Sequence, residues 1–484
     1  MRKLLFERTE NESNKHYIPY KDSDEKVLDT YIPSKYKRKL KLRIPQLNES
    51  EVIRHYIALS ILNYHIDKGF YPLGSCTMKY NPKINETLAR LPGLTGIHPL
   101  QPEYMSQTAL EIMFDLTNYL AEISGMKAVS LQPAAGAHGE LTGLKMIRAY
   151  HENKGNPREH VLIPDSAHGT NPASVTFTGY KSVELKSNDN GTIDLEDFKS
   201  KLNNETAAIM ITNPNTLGLF ETQVKQIIDM AHDAGALIYM DGANLNALLG
   251  LVRPGDIGFD VLHFNLHKTF STPHGGGGPG AGPVGVSSRL VDFLPVPTIR
   301  KADNKYSFDY DRPLSIGKIS TFYGNFAIMV RAYVYIRMLG GKGLKRVSQN
   351  AIINANYLKS RLESTFQLPY VKKCMHEFVL SGDKQRKKGI KTLDMAKRLL
   401  DYGFHAPTIY FPLIVREAIM IEPTETESKE TLDRFIDTML KIAEEVETDP
   451  DKLKNAPLNT IVTRLDEVKA IKQPNVRFNF DAQQ

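Results

Sequence analysis

The sequence predicts an α/β protein whose main domain is a mostly parallel β-sheet covered by helices, followed by a smaller α+β lobe. Three observations predict it. Between residues 108 and 325 short apolar runs recur: Val161-Leu162-Ile163, Ala207-Ala208-Ile209-Met210-Ile211-Thr212, Leu237-Ile238-Tyr239-Met240 and Val261-Leu262-His263-Phe264. They are continuous rather than alternating, as strands buried on both faces are. Segments of helical period, such as 226–234, separate them, and that alternation is the pattern of parallel strands joined by crossover helices. Beyond 326 the alternation stops. A helical stretch at 326–363 leads to β-rich runs at 378–380, 408–414 and 418–423, and a long helix follows at 427–447.

Length and composition set the outer bounds. A chain of 484 residues is too long for one small domain. The expected division is an N-terminal arm and helical segment at 1–107, a large domain at 108–325 and a small C-terminal domain at 326–484. Hydrophobic residues at 41% and charged residues at 24% allow an ordinary globular core. The net charge of +6, from 61 basic and 55 acidic residues, is mild and argues against nucleic acid as the main ligand. Cys76 and Cys374 are the two cysteines, so no disulfide framework is expected. No apolar run approaches the ~20 residues of a membrane span, and 1–20 lack a signal-peptide core. The expectation is a cytoplasmic protein without membrane partners.

In chain order, residues 1–47 are polar, basic and punctuated by Pro19, Pro33 and Pro45, which prevent a long helix. The basic cluster at 35–43 reads as a solvated or subunit-clasping arm. A helix is expected after Asn48, a capping residue with Glu51 three positions on, because Val52, Ile53, Tyr56, Leu59 and Leu62 keep helical spacing. The loop at 69–82 is rich in Gly and Pro yet carries the hydroxyl, thiol and aromatic groups of Tyr71, Ser75, Cys76 and Thr77, a composition that lines sites or packs as an Ω-loop. Cys76 has no activating neighbour in sequence, which makes it a weak nucleophile candidate.

The chemistry centres on Lys268. An apolar run ends in Leu266-His267-Lys268 and passes into Gly275-Gly276-Gly277-Gly278. A lysine placed there suits Schiff-base formation with a carbonyl carbon, and glycines let a planar group lie against the main chain. Asp241 ends the run Tyr239-Met240-Asp241-Gly242-Ala243, where a carboxylate can pair with the ring nitrogen of a pyridine cofactor. Ala243 is small enough to lie under a flat ring. Gly136-Ala137-His138-Gly139 opens a helical run, so free N–H groups and the positive dipole end face a phosphate. His168 follows the strand at 161–163 and is placed to stack on a ring or move protons. Thr212, at the end of the next strand, suits a ring oxygen or substrate. No Cys/His spacing suggests zinc, so no metal is expected, and no Ser-His-Asp set supports acyl transfer.

Together these residues resemble the P-protein of the glycine cleavage system, a pyridoxal-phosphate-dependent glycine decarboxylase. The likeness extends over 69–85, 133–140, 164–173, 213–218, 241–246, 266–282 and 421–428. The length is about half that of the single-chain form, which implies the lysine-bearing half of the split, two-chain form. The resemblance implies pyridoxal-phosphate fold type I, the aspartate-aminotransferase type. It makes Lys268 the Schiff-base lysine, Asp241 the pyridinium partner and His168 the stacking ring. Ala135, Gly136 and Ala137 would bind phosphate and His267 would adjoin the cofactor; single-chain members usually carry Ser where this chain has Ala135. The implied partners are glycine, subunit 1 of the P-protein in a two-plus-two heterotetramer, and the lipoylated H-protein.

Two rivals have distinct signatures. Another fold type I enzyme, a cysteine desulfurase or an aminotransferase, would hold a substrate carboxylate with a late arginine, for which Arg416 is the candidate. A non-catalytic scaffold subunit would not need Lys268, Asp241 and His168 together.

Overall fold

The structure, a computed structural model, describes residues 4–8, 30–39, 44–45, 47–275 and 280–479. Pro19, residues 40–43 of the basic cluster and Gly276–Gly278 of the glycine run lie outside them. The chain divides into two compact units, one formed by residues 1–68 with 459–484 and the other by 69–458.

In the first unit the helix Glu49–Ser60 starts as its sequence predicts. Asn48 Oδ1 accepts the Glu51 N–H at 2.9 Å, and the Glu51 carboxylate accepts the Asn48 N–H at 3.1 Å, a complete capping box. Phe6 stacks on Phe478 with ring centroids 5.0 Å apart.

The second unit is built on a sheet of seven strands: β1 (Ala128–Ser130), β2 (His160–Pro164), β3 (Lys181–Leu185), β4 (Thr206–Thr212), β5 (Leu237–Gly242), β6 (Val261–Phe264) and β7 (Val284–Val286). Their order is β1-β7-β6-β5-β4-β2-β3, and only β7 runs against its neighbours. The apolar runs are continuous because each face has its own core. Leu162, Ile209, Ile238 and Leu262 pack into one cluster, while Val161, Ala208, Tyr239 and Val261 alternate into the other. Each large side chain so buried contributes about 1.5–3 kcal/mol.

An antiparallel hairpin, β8 (Thr298–Ala302) and β9 (Lys305–Asp309), precedes the helix Phe326–Leu362. That helix breaks at Gly340, whose φ of 58° favours a residue without Cβ. The C-terminal lobe has a three-stranded antiparallel sheet, β10 (Phe378–Ser381), β11 (Thr408–Ile409) and β12 (Ala418–Ile421), in the order β10-β12-β11. The run at 408–414 yields only two strand residues: Tyr410 turns to a φ of 60° and Pro412 has no N–H for a ladder. The helix Lys429–Thr448 then begins where Ser428 Oγ accepts the Thr431 N–H at 3.2 Å. Among the described residues no helix is long and apolar enough to cross a membrane.

Candidate active site

Parallel register gathers the site at the carboxyl ends of the central strands. Thr212 of β4 pairs with Asp241 of β5, which pairs with His263 of β6. One turn beyond β6 the short helix Leu266–Thr269 carries His267 and Lys268. This is the crevice in which α/β sheets place ligands.

Asp241 is buried and heavily anchored. Its carboxylate accepts the Asn171 amide at 3.0 Å and the Ala243 N–H at 2.9 Å, and its Oδ1 lies 3.3 Å from His263 Nε2. Burial alone would raise its pKa. His263, the Asn171 hydrogen bond, the Lys268 charge and the Ala243 N–H outweigh burial and hold the carboxyl below the usual carboxylate range.

Opposite it, the helix Gly136–Asn153 starts at Ala135, an N-cap without a side-chain cap, so its first-turn N–H groups stay open to a ligand. Glycine brings this helix end close. A Cβ on Gly136 would sit 2.3 Å from Asn265 Oδ1, and one on Gly139 would sit 2.9 Å from His263 Cβ. Glu140 ties the helix down by accepting hydrogen bonds from Thr170 Oγ1 and Ser174 Oγ, both at 2.8 Å.

A cavity of about 220 Å³ opens between these elements. All nine expected residues line it: Ala135, Gly136 and Ala137 at the helix end, Thr212, Asp241 and Ala243 at the strand ends, and His168, His267 and Lys268 around them. His168 is exposed, with Nδ1 2.9 Å from Thr170 Oγ1 and its ring edge-on to Phe411. His267 is pushed down to about 3 by burial, with the charges of His274, Lys268 and His263 adding to it, so its imidazole is neutral at ordinary pH. Buried polar atoms around the site lack hydrogen-bond partners: Thr212 Oγ1, His267 Nδ1, Asn171 Oδ1 and Asn265 Oδ1. Each such atom costs about 1–3 kcal/mol, which a polar ligand would relieve. An open helix N-terminus, an ionised carboxylate and a lysine lining one cavity fit a phosphorylated pyridine aldehyde.

The loop at 69–82 contributes Ser75 to the lining. Burial pushes the Cys76 thiol up to about 11, opposed by Lys268 and reinforced by Glu422 and Glu377, so nothing activates it as a nucleophile. Arg416 lies away from the cavity, with an exposed side chain whose Nε is 3.3 Å from Asp383.

Sequence reasoning missed three other groups. Lys79 is buried and donates to Asn246 Oδ1 and Glu425 Oε1 at 2.8 Å and to the carbonyl of Thr269 at 2.9 Å, fixing the residue after Lys268. Glu377 and Glu422 are fully buried behind Ser75 and Thr77, whose N–H groups they accept at 2.6 and 2.8 Å. The available signal for them was position alone, since Glu377 precedes β10 and Glu422 follows β12.

This architecture is that of pyridoxal-phosphate fold type I proteins. Solved structures share it: an inhibitor-bound glycine decarboxylase (P-protein) of the glycine cleavage system, with TM-score 0.70 at 20% identity over 88% of this chain and 100% of that one, and a cysteine desulfurase from Thermococcus onnurineus, with TM-score 0.61 at 16% identity over 82% and 99%. The chain belongs to the glycine cleavage system P-protein family, whose model matches residues 2–301, while the model of the glycine dehydrogenase C-terminal domain matches 347–462. Similar relatives include proteins called probable glycine dehydrogenase (decarboxylating) subunit 2. That of Chloroherpeton thalassium is 58% identical over 98% of this chain and 97% of its own, and that of Chlorobium phaeobacteroides is 59% identical over 98% and 99%.

Proposed function

We infer that this chain decarboxylates glycine with pyridoxal 5'-phosphate and passes the aminomethyl group to the lipoyl arm of an H-protein. The observation that carries this reading, beside the family, is the convergence of Lys268, Asp241 and the uncapped Ala135–Ala137 helix end on one cavity. Pyridoxal phosphate supplies a carbonyl that takes up an amine and a ring that draws electrons from the bond to be broken. Lys268 would hold that carbonyl carbon. Asp241, kept ionised by its partners, would hold a proton on the ring nitrogen. The backbone N–H groups of Gly136 and Ala137 would take the phosphate at the positive helix end. His168 would stack on the ring, Ala243 would lie under it, and the free Thr212 hydroxyl would donate to the ring oxygen. His267, neutral, would adjoin the cofactor without adding positive charge.

In the overall reaction carbon dioxide leaves, a C–S bond forms to the lipoyl disulfide, and the S–S bond breaks to leave a thiol. Ser75 and Thr216 on the cavity wall belong to the loops that would border the arm. Subunit naming among the relatives supports a second P-protein chain, which we place with this one in a two-plus-two heterotetramer. The free thiols Cys76 and Cys374 suit a cytoplasmic location. Exchange of labelled bicarbonate into glycine tests the reading: it should be slow alone and rise steeply with lipoylated H-protein. Equal stimulation by the unlipoylated form would exclude the lipoyl arm as acceptor.

A further inference from the structure

Behind Ser75 lies a buried cluster with no part in the scheme above. Glu377 and Glu422 are both fully buried, and their oxygens lie with the imidazole of His376 inside 4.8 Å of one another. Each carboxylate has one well-bonded oxygen. Glu377 Oε2 accepts the Ser75 N–H and Glu422 Oε2 accepts the Thr77 N–H, on residues whose positive φ values of 61° and 48° turn those amides inward. The other oxygens face the cluster. Glu377 Oε1 takes a 3.3 Å contact from the Asn244 amide, while Glu422 Oε1 has no partner.

No lysine or arginine among the described residues forms an ion pair with either carboxylate. His376 Nε2 stands 3.7 and 3.9 Å away, and neither ring nitrogen has a hydrogen-bond partner. The other groups that act on the pair are the Thr77 hydroxyl, Lys268, the Cys76 thiol and Glu425, whose charge is already matched by Lys79. Two negative charges this close, away from water, cannot both persist beside so little positive charge.

We propose that Glu377 and Glu422 share a single proton and stand as one unit of negative charge behind Ser75, which lines the same cavity as Lys268, making them positioning residues for that lysine. Burial raises both carboxyls, and the charge of Glu422 raises Glu377 further. His376, held down to about 3 by burial and by Lys268, adds no positive charge of its own. The link to Lys268 rests on the cofactor reading above; the shared proton does not.

The test has two arms. Difference infrared spectroscopy between neutral and alkaline pH should show a buried protonated carboxyl in the native protein. Glu377→Gln and Glu422→Gln should each lose that band, because the carboxylate left behind ionises. Absence of the band from the native protein, or its persistence in both variants, would overturn the shared proton. In the cofactor-loaded protein, the pH midpoint of the visible absorbance should stay near native in each single variant. In the double variant it should fall by about one unit or more. Two equal steps, one per substitution, would mean two separate charges and overturn the proposal. If no cofactor band forms even in the native protein, the reading of Lys268 fails, and the infrared arm alone decides the shared proton.

Discussion

His263 Nε2 stands 3.3 Å from Asp241 Oδ1, at the end of a buried line that starts at the Tyr239 hydroxyl, 2.9 Å from His263 Nδ1. Burial keeps the Tyr239 hydroxyl protonated, and its hydrogen bond to Nδ1 fixes the ring so that Nε2 faces the carboxylate. Tyr239, Asp241 and His263 sit on adjacent strands in fixed register, which makes Asp241 a rigid charge.

Asp241→Asn keeps the shape and removes the charge. Glycine–bicarbonate exchange should fall about 100-fold or more, the scale of losing one preorganised electrostatic contact. Exchange within a few-fold of native would remove Asp241 from the mechanism.

Lys79 donates to the main-chain carbonyl of Thr269, beside Lys268, and forms a buried ion pair with Glu425. Lys79→Met strands that carboxylate and should destabilise the protein by about 3–5 kcal/mol. Adding Glu425→Gln should restore part of the loss, because the buried charge goes with it. Thermal unfolding of the native protein, both single variants and the double variant measures the coupling; strictly additive changes would deny it.

At the phosphate end, Gly136→Ala puts a methyl group against Asn265 Oδ1 and forces that side chain to move. Cofactor affinity, read by absorbance titration, should weaken about tenfold to a hundredfold. An unchanged affinity would place the phosphate elsewhere.

In the C-terminal lobe Arg398 grips Glu445 with two hydrogen bonds of 2.9 and 2.8 Å, and Tyr402 adds a third of 2.7 Å. The Arg398 hydrogen bond leads in holding the Glu445 carboxyl below its ordinary value, against burial. A depressed carboxyl stabilises the fold above its unfolded value of about 4.3, and that contribution is lost as pH falls through the lower folded value. The melting-temperature gap between native protein and Arg398→Met should therefore be full at neutral pH and close in acid. A gap that widened in acid would reverse the sign.

The sheet was legible because strands covered on both faces leave unbroken apolar runs, and 161–163, 207–212, 237–240 and 261–264 all lie in strands. Asp241 and Lys268 were legible for a related reason: each follows such a run, where loops meet ligands. Glu377 and Glu422 were not, because their partners Ser75 and Thr77 lie 302 and 345 positions away. Lys79 stands in a loop rich in Gly and Pro, and its partners Asn246, Thr269 and Glu425 meet it only once the chain has folded. The run at 408–414 misled through composition, since its aromatic and branched residues suit a strand that Tyr410 and Pro412 interrupt.

The whole scheme turns on Lys268 holding the cofactor. The purified protein, supplied with pyridoxal phosphate, reduced with borohydride and mapped by peptide mass, should carry the pyridoxyl tag on Lys268 and on no other lysine. A tag elsewhere, or none on the peptide containing Lys268, would contradict the account.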